Sequence, residues 1–443
     1  MTTSTSAAPA GLLPVELRPP LSAEAALVEA DRCLECGGPH AEAPCAVACP
    51  AGVDVPRFIS AIAAGDFDDA AHTIFEQNLL GGTCARVCPV EILCQGACVL
   101  SRPPIAIGAL QRFAADQALE RGLPLRDRAA ANGRTVAVVG AGPAGLACAG
   151  ELAARGYDVT VLDERAEIGG LVRFAIAPYR QQADPLPAEQ RGLETLGVRF
   201  DLGHVITGPE ALRAVADGAD AVFLAVGLGE DTPVRMPGDE LHGVWDSLPF
   251  IEALKTGCPP DVGRNVVVVG GGNTAIDVTR EALRLGAEQV TLVYRRTRAE
   301  MPAYAFEMEE AEREGVRFEW LAAPVRFLGS WHVEGVECER MTLGEPDASG
   351  RRRPAALPDS SFVVAAETVV KAIGQRARDE LAGWVEGVAF EGGRLRIDPE
   401  TGQTGNPKFF AGGDVANGGA SVVEAVAAAK RAARGIDEWL SRC

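Results

Sequence analysis

The sequence predicts an α+β multidomain fold in which a cysteine-rich N-terminal domain precedes two α/β domains, the second inserted into the first. Three observations support this prediction. Eight of the 12 cysteines lie between Cys33 and Cys98. Two strand, glycine loop, helix and strand units begin near residues 134 and 264, and such units form nucleotide-binding parallel sheets. A further glycine-rich strand end at 409–419 comes late enough in the chain to complete the first sheet.

The composition of this 443-residue chain limits the kinds of protein that it can be. Hydrophobic residues make up 47%, enough for large cores, and the length suits two to four domains. The formal net charge of −19 argues against binding to nucleic acid or to an anionic membrane surface. No apolar run approaches about 18 residues, so we expect no membrane span. The N-terminal residues lack the pattern of a secretory signal, and we expect a flexible tail on a cytoplasmic protein.

The first glycine-rich loop follows the strand RTVAVVG and opens a helix. Gly140, Gly142 and Gly145 fit the GxGxxG pattern. In that pattern the first glycine makes a tight turn, the second admits a pyrophosphate to the helix N-terminus, and the third lets helix and strand pack closely. Asp163 ends the next strand, where an acid can bind a ribose hydroxyl. These features together predict a dinucleotide site.

Two further segments indicate that this dinucleotide is FAD. Gly169 and Gly170 follow Asp163 closely, as in flavoproteins that bind two dinucleotides. Near the C-terminus a strand ends in Gly-Gly-Asp at 412–414, where the acid can hold a ribityl chain, and the helix that begins near 421 can stabilise negative charge on a reduced ring. The predicted FAD-binding residues are Gly140, Gly142, Ala144, Gly145, Asp163, Gly170, Leu171, Gly413, Asp414 and Val422.

The second glycine-rich loop has the same strand and helix context but a different end to its second strand. Where an NAD site would carry an acid, the sequence reads Tyr294-Arg295-Arg296. An acid would repel a 2′-phosphate, whereas two arginines can clamp it. We therefore predict a nicotinamide site that prefers NADPH, with NADH and a solvated arginine face as the alternative. The predicted residues are Gly270, Gly272, Asn273, Thr274, Ala275, Arg295 and Arg296.

The two α/β regions lack a redox-active cysteine pair. Flavin reductases that reduce disulfides carry two closely spaced cysteines beside the flavin, but the sequence after Gly-Gly-Leu at 169–171 is VRFAIAPYRQQ. Cys148 is solitary, in the helix after the first loop, and we expect it to be a small core residue. We conclude that electrons do not leave the flavin through a dithiol, and the N-terminal cysteines become the candidate acceptors.

The N-terminal cysteines favour iron–sulfur clusters. Zinc competes because CxxC pairs often bind it, but only Cys33 and Cys36 have that spacing within the block. Cysteine followed by proline, at Cys49-Pro50 and Cys88-Pro89, is typical of ferredoxin-type cluster binding. Eight cysteines also match two clusters of four ligands in number. Disulfides are the least favoured alternative, because cytosolic thiols stay reduced.

The chain resembles a known family. The two-part cysteine block, GAGPAGLACA, GGL, GGGNTAID, AIGQ and AGGDV are similar to motifs of the glutamate synthase small subunit, and more closely to those of the N-terminal half of dihydropyrimidine dehydrogenase and its bacterial small subunit. The resemblance covers residues 24–443. It implies an all-α domain with two [4Fe–4S] clusters, followed by two Rossmann-like domains for FAD and NAD(P)H. The implied boundaries are 1–23 for a tail, 24–130 for the iron–sulfur domain, 131–248 and 376–443 for the FAD domain, and 249–375 for the NAD(P)H domain.

The resemblance also implies interleaved cluster ligands and leaves Cys84 as a spare cysteine. One cluster would use Cys33, Cys36, Cys45 and Cys98, and the other Cys49, Cys88, Cys94 and Gln111. Glutamate synthase-type chains typically carry a glutamate in place of Gln111, so this glutamine favours the dihydropyrimidine dehydrogenase type. Its alternative is a solvent-facing helical glutamine. The spacer of eight residues between Cys36 and Cys45 is longer than the family usually has.

The function implied by the resemblance is that of an electron-input subunit. A hydride would pass from NAD(P)H to FAD, and single electrons would pass through two clusters to a larger catalytic subunit in a hetero-oligomer. We expect the terminal acceptor on another chain, because the sequence to 443 has no segment for that chemistry, and Gln111 favours an FMN and iron–sulfur, dihydropyrimidine-reducing partner. The alternatives are a glutamate synthase small subunit with its large subunit, a related ferredoxin/NADP oxidoreductase module, and a non-catalytic assembly or regulatory subunit. No catalytic side chain is assigned.

Overall fold

The computed structural model describes residues 16, 18–38, 41–346, 350 and 352–442. Most of the predicted tail, residues 1–15 and 17, lies outside the described residues. The described chain forms two compact units. The larger unit contains Arg18–Arg173, Arg180–Gly229 and the segment from Arg376 onward, and the smaller unit contains Phe174–Tyr179 and Glu230–Gln375. The domain boundaries predicted from the sequence stay predictions.

The cysteine-rich region of the larger unit is built from short helices. Ser22, Asp54 and Asp66 accept hydrogen bonds from backbone N–H groups of the first turns that follow them, which explains where three of these helices begin. Cysteines lie mainly in the loops and at helix ends. The helices are α1 (Ala23–Ala30), α2 (Pro44–Val47), α3 (Val55–Ala63), α4 (Phe67–Gln77), α5 (Gly81–Val87) and α6 (Ile107–Arg121).

The α/β part of the larger unit follows without a break in the described chain. Its central strands are apolar on both faces, as expected for a parallel sheet that helices cover: Val138, Val161 and Phe223 are fully buried and lie in register on adjacent strands. The elements are β1 (Thr135–Val139), α7 (Pro143–Ala154), β2 (Asp158–Asp163), α8 (Leu171–Phe174), α9 (Leu186–Thr195), β3 (Arg199–Leu202), α10 (Pro209–Asp217) and β4 (Ala221–Leu224).

The smaller unit has a second parallel sheet of order β6-β13-β7-β8-β9 and an antiparallel sheet of order β10-β11-β12. Val268, at the centre of the parallel sheet, is paired with Val370 and Leu292. The elements are β5 (Glu230–Asp231), β6 (Val244–Asp246), α11 (Ser247–Lys255), β7 (Asn265–Gly270), α12 (Asn273–Arg284), β8 (Gln289–Tyr294), α13 (Ala305–Glu314), β9 (Arg317–Trp320), β10 (Ala322–Gly329), β11 (Val333–Pro346), β12 (Arg352–Ala365), β13 (Thr368–Ala372) and β14 (Gln375–Arg376).

The chain then returns to the larger unit and completes its first sheet. Strand β17 (Phe409–Ala411) pairs in parallel with β4, and the sheet order is β17-β4-β1-β2-β3. The second α/β region is therefore inserted into the first, as the sequence predicts. No helix among the described residues is long and apolar enough to cross a membrane. The last elements are β15 (Phe390–Glu391), β16 (Arg394–Leu395), β17 (Phe409–Ala411), α14 (Asp414–Asn417) and α15 (Val422–Leu440).

Candidate cofactor sites

The first glycine loop is closed by the protein on one side and open on the other. Gly140 has a φ of +108°, and a Cβ atom there would lie 2.4 Å from the carbonyl oxygen of Ala225. At Gly145 a Cβ atom would lie 1.9 Å from the oxygen of Gly140. Gly142 caps the N-terminus of α7, and a Cβ atom there would meet only the Cα of Gly170, at 4.0 Å. The space at Gly142 and the helix N-terminus together fit a pyrophosphate.

Asp163, which is predicted to bind a ribose hydroxyl, lies against this loop. The carboxylate of Asp163 accepts a hydrogen bond from the N–H of Ala141 at 2.6 Å and another from the N–H of Arg165 at 2.8 Å. Each carboxylate oxygen has a second lone pair for a ribose hydroxyl. Gly170 has a φ of +51°, and a Cβ atom there would come within 3.0 Å of Gly142. The structure thus brings Asp163 and Gly170 to the same loop, and Leu171 begins α8 directly after them.

The C-terminal segment reaches the same place. Gly413 has a φ of +76°, and a Cβ atom there would lie 2.7 Å from the Cβ of Ala144, in the first turn of α7. Burial raises the pKa of Asp414, whose Oδ1 accepts a hydrogen bond from the N–H of Ala420 at 3.1 Å. Val422 begins α15 after a capping box. The predicted FAD residues of segments 140–171 and 413–422 therefore meet around α7.

The second glycine loop, in the smaller unit, repeats the geometry of the first. A Cβ atom at Gly270 would lie 2.1 Å from the oxygen of Ala372, whereas one at Gly272 would meet no atom within 4 Å. Gly272 caps the 12-residue helix α12. The side-chain oxygen of Asn273 accepts a hydrogen bond from the N–H of Tyr304 at 3.0 Å. Thr274 is half-buried and Ala275 fully buried in the first turn of α12. The open space at Gly272 suits a second pyrophosphate.

Arg295 and Arg296, to which the sequence gives the same predicted role, have different environments in the structure. Arg295 is exposed, whereas Arg296 is only 6% exposed and donates its Nε–H to the carbonyl oxygen of Arg352 at 2.8 Å. Arg352 in turn pairs with Glu300 at 2.6 Å. A hydrogen bond from Thr297, followed by the Arg352 pair, lowers the pKa of Glu300. Arg296 therefore secures strand β12, and Arg295 presents its charge at the surface.

Four cysteines of the larger unit line one pocket. They are Cys33, Cys36, Cys45 and Cys98, the set that the resemblance implies for one cluster. The other lining residues are apolar, among them Leu34, Ile59 and Ile105. Burial raises the pKa of Cys45 to about 11, and the neighbouring thiolates of Cys33 and Cys98 add to this. Four convergent thiols with an apolar lining fit a [4Fe–4S] cluster, because metal binding stabilises the thiolate that burial disfavours.

The second set of cysteines is also brought together. Burial raises the pKa of Cys94 to about 12, and the charge of Cys49 adds to it. A hydrogen bond from the Cys88 thiol to Cys84, followed by burial, raises the pKa of Cys88, and the charges of Cys84, Cys94 and Cys49 add to this. Cys84 therefore lies beside this set. Gln111 donates its Nε2–H to the carbonyl oxygen of Gly81 at 2.8 Å, which directs its side chain toward the start of α5.

A zinc ion would need each sulfur about 2.3 Å from one point, whereas each thiolate of a four-iron cluster binds a different iron. In the described parts of the chain, no three His, Cys, Asp or Glu side chains are placed to hold one metal ion.

The sequence does not single out two charged side chains, one buried and one half-buried, that join the helical region to the α/β part of the larger unit. Glu189, on α9, binds Thr83, and Lys430, on α15, binds Ala51 and Gln77. A single charged residue in a helix normally predicts a solvated position. The local sequence carries no signal for either contact, because the partners are more than 100 residues away.

Comparison with known proteins gives matches along nearly the whole chain. One family model, dihydropyrimidine dehydrogenase domain II, 4Fe–4S cluster, matches residues 15–123, and another, pyridine nucleotide-disulphide oxidoreductase, matches residues 134–429. The putative oxidoreductase AegA of Escherichia coli is 38% identical over 96% of this chain and 67% of AegA. The glutamate synthase [NADPH] small chain of E. coli is 36% identical over 96% of this chain and 94% of that protein.

Solved structures agree with the fold. Mycobacterium tuberculosis FprA in complex with NADPH superposes with a TM-score of 0.60 and 20% identity, covering 70% of this chain and 85% of FprA. Together the matches confirm the predicted fold class, with an iron–sulfur domain followed by two nucleotide-binding domains. They also confirm an NAD(P)H-dependent oxidoreductase that uses FAD, NADPH and [4Fe–4S] clusters for electron transfer.

Proposed function

This chain belongs to the family of glutamate synthase small chains and their flavin- and iron–sulfur-containing relatives, and from that premise we propose that it is the electron-input subunit of a larger oxidoreductase. It oxidises NADPH and delivers single electrons to a partner chain. The observation that carries the proposal is that the four-cysteine pocket and the glycine loop at 140–145 belong to one compact unit.

The residues around the first loop hold the flavin nucleotide. When bound, FAD takes up a hydride and releases electrons singly, and [4Fe–4S] clusters carry them one at a time. Gly142 and the N-terminus of α7 admit the pyrophosphate, and Asp163 accepts hydrogen bonds from the ribose. The N-terminus of α15, at Val422, favours negative charge near the ring. Cys148, in α7, is fully buried, so no accessible thiol competes for electrons in this helix.

In the smaller unit, Gly270, Gly272 and the first turn of α12 bind the pyrophosphate of NADPH. We assign different tasks to the two arginines. Arg295, which is exposed, pairs with the 2′-phosphate, and Arg296 holds the neighbouring strand in place. A charged hydrogen bond to a phosphate is among the strongest that a protein makes. This division supports NADPH over NADH as the physiological donor.

The two cysteine sets bind the two clusters. Cys33, Cys36, Cys45 and Cys98 bind one, and Cys49, Cys88, Cys94 and Gln111 bind the other. The ligands must be deprotonated, and burial raises the pKa of several of these thiols, so cluster assembly releases protons. The lining of the first pocket is apolar, and its four cysteines are half-buried.

A partner subunit accepts the electrons at the exposed side of the first pocket. Leu34 and Val99 line that pocket and are 62% and 53% exposed, and Val47, on the helix that carries Cys45, is 65% exposed. Exposed apolar side chains around a ligand pocket favour a protein interface. Gln111 favours a dihydropyrimidine-reducing catalytic subunit. A glutamate synthase large subunit is the second candidate, because the chain matches 94% of a glutamate synthase small chain.

Anaerobic purification from the native cell tests the proposal. Iron, sulfide and flavin are assayed and the chains that copurify are identified. We expect one FAD, about eight irons and about eight sulfides per chain, together with a larger flavin- or iron-containing partner. Zinc without labile sulfide would overturn the cluster assignment, and a partner of the glutamate synthase type would replace the dihydropyrimidine-reducing one.

A further inference from the structure

The ammonium group of Lys430, a half-buried residue of α15, contacts the cysteine-rich region of the larger unit. Its Nζ donates to the carbonyl oxygens of Ala51 and Gln77, each at 2.7 Å, and to the side-chain oxygen of Gln77 at 2.9 Å. Three acceptors require three N–H donors, so the group is protonated. All three acceptors are neutral oxygens, and the positive charge is therefore not cancelled by the groups that bind it.

The peptide group that accepts from Lys430 also faces Cys49. The carbonyl of Ala51 and the N–H of Gly52 belong to one peptide. The N–H of Gly52 donates to the carbonyl oxygen of Cys49 at 2.9 Å, which places this peptide in the turn that follows the cysteine. Burial raises the pKa of the Cys49 thiol, while hydrogen bonds from the N–H groups of Val53, Ala51 and Gly52 oppose that rise. Lys430 thus binds the carbonyl end of a peptide whose N–H end lies in the turn that carries Cys49.

The charge of Lys430 also interacts with Cys49 through space. Burial lowers the pKa of Lys430, whereas Glu151 and Cys49 act in the opposite direction. Glu151 is itself bound by Arg126 at 2.9 Å and Arg155 at 2.8 Å, so its charge is compensated by its own partners. Cys49 therefore lies within the electrostatic reach of an ammonium group in a partly desolvated site, where charge interactions are stronger than in water.

We propose that Lys430 is a positioning residue for the cluster that Cys49 binds: through the Ala51–Gly52 peptide and its own charge, it raises the reduction potential of that cluster relative to the other one. This rests on the proposed function, in which Cys49 is a cluster ligand. Reduction adds negative charge to the cluster, and a nearby positive charge and N–H donors to sulfur stabilise the reduced state. Lys430 thereby favours electron transfer to this cluster.

The test is a redox titration of the whole purified chain, followed by electron paramagnetic resonance of the reduced clusters. Lys430→Gln removes the charge and keeps a hydrogen-bond donor, and Lys430→Arg keeps the charge. Arg431→Gln is the matched control, because Arg431 is the exposed neighbour on the same helix. We expect Lys430→Gln to shift the reduction equilibrium of one cluster about tenfold toward the oxidised state, equivalent to about 59 mV for a one-electron couple. The other cluster, Lys430→Arg and Arg431→Gln should stay close to wild type.

The outcomes separate this inference from the proposed function. If the wild-type chain contains no clusters, the proposed function fails. If wild type and Lys430→Gln both hold about eight irons and have equal potentials, the inference alone is wrong. Loss of iron from both Lys430 variants would also overturn it, because Lys430 would then serve only to hold the loop.

Discussion

Glu189 caps a helix that lies more than 100 residues before it in the chain. Its carboxylate accepts hydrogen bonds from the backbone N–H of Thr83 at 2.9 Å and from the Thr83 hydroxyl at 2.5 Å. Thr83 lies in the first turn of α5, whose N-cap, Leu80, offers no side-chain acceptor. The carboxylate thus satisfies a helix N–H that would otherwise lack a partner and joins α9 to the helix that carries Cys84.

This contact predicts a pH-dependent stability. Burial raises the pKa of Glu189 to about 7, although hydrogen bonds from Thr83 oppose the rise. Because the folded-state pKa is above the ordinary value of 4.5, the contribution of this group is complete below that value and is lost as the pH rises through about 7. Relative to Glu189→Gln, the wild-type free energy of unfolding should fall by roughly 1 kcal/mol between pH 6 and pH 8.5.

Urea unfolding of wild type and Glu189→Gln at the two pH values measures this difference. Glu194→Gln is the control, since Glu194 lies exposed on the same helix, and its effect should not change with pH. A Glu189→Gln effect that is the same at both pH values would contradict the assignment.

A second prediction concerns the spare cysteine. Cys84 is buried and hydrogen-bonded to Cys88, but the resemblance does not make it a cluster ligand. Cys84→Ala should therefore leave the iron content near eight per chain, whereas Cys88→Ala should lose about four. Cys84 lies in α5 and Cys88 is the C-cap residue of the same helix, so the two changes are matched in size and are four residues apart. Iron and sulfide assays on anaerobically prepared protein decide the result, and iron loss in Cys84→Ala would make Cys84 a ligand.

The glycine loops were predictable because each is a local requirement. Gly140 and Gly145 are set by the backbone oxygens that lie against them, and the same residue types recur wherever this turn must form. The return of β17 to the first sheet was also predictable, since a strand that ends in Gly-Gly-Asp was otherwise unpaired in the sequence. Local sequence patterns were therefore sufficient to predict both the fold and the two nucleotide sites.

The sequence could not reveal how equal residues divide their tasks. Arg295 and Arg296 are adjacent and chemically identical, and a tertiary contact with Arg352 distinguishes Arg296 from its exposed neighbour. Lys430 and Glu189 are ordinary helical residues until the fold brings Ala51 and Thr83 to them. Such long-range pairings depend on packing rather than on any pattern within one element.

A third prediction distinguishes the roles of two glycines in the first loop. Gly142 has an extended backbone with a φ of −76°, and its Cβ direction is open. Gly142→Ala should fold normally and lose bound FAD, because the methyl group occupies the approach to α7. Gly145→Ala should instead lower the melting temperature, since its Cβ would collide with the Gly140 oxygen. Flavin absorbance and thermal unfolding measure the two effects, and full FAD occupancy in Gly142→Ala would exclude this approach for the pyrophosphate.

The last prediction separates cofactor selection from strand anchoring. Arg295→Gln should raise the KM for NADPH at least about tenfold and change the KM for NADH little, because a charged hydrogen bond to phosphate contributes about 1.5–3 kcal/mol. Arg296→Gln should lower the melting temperature, because it weakens a buried contact with the carbonyl of Arg352. Both are measured with an artificial electron acceptor and by thermal unfolding without nucleotide. Equal KM changes for the two nucleotides in Arg295→Gln would show that Arg295 does not read the 2′-phosphate.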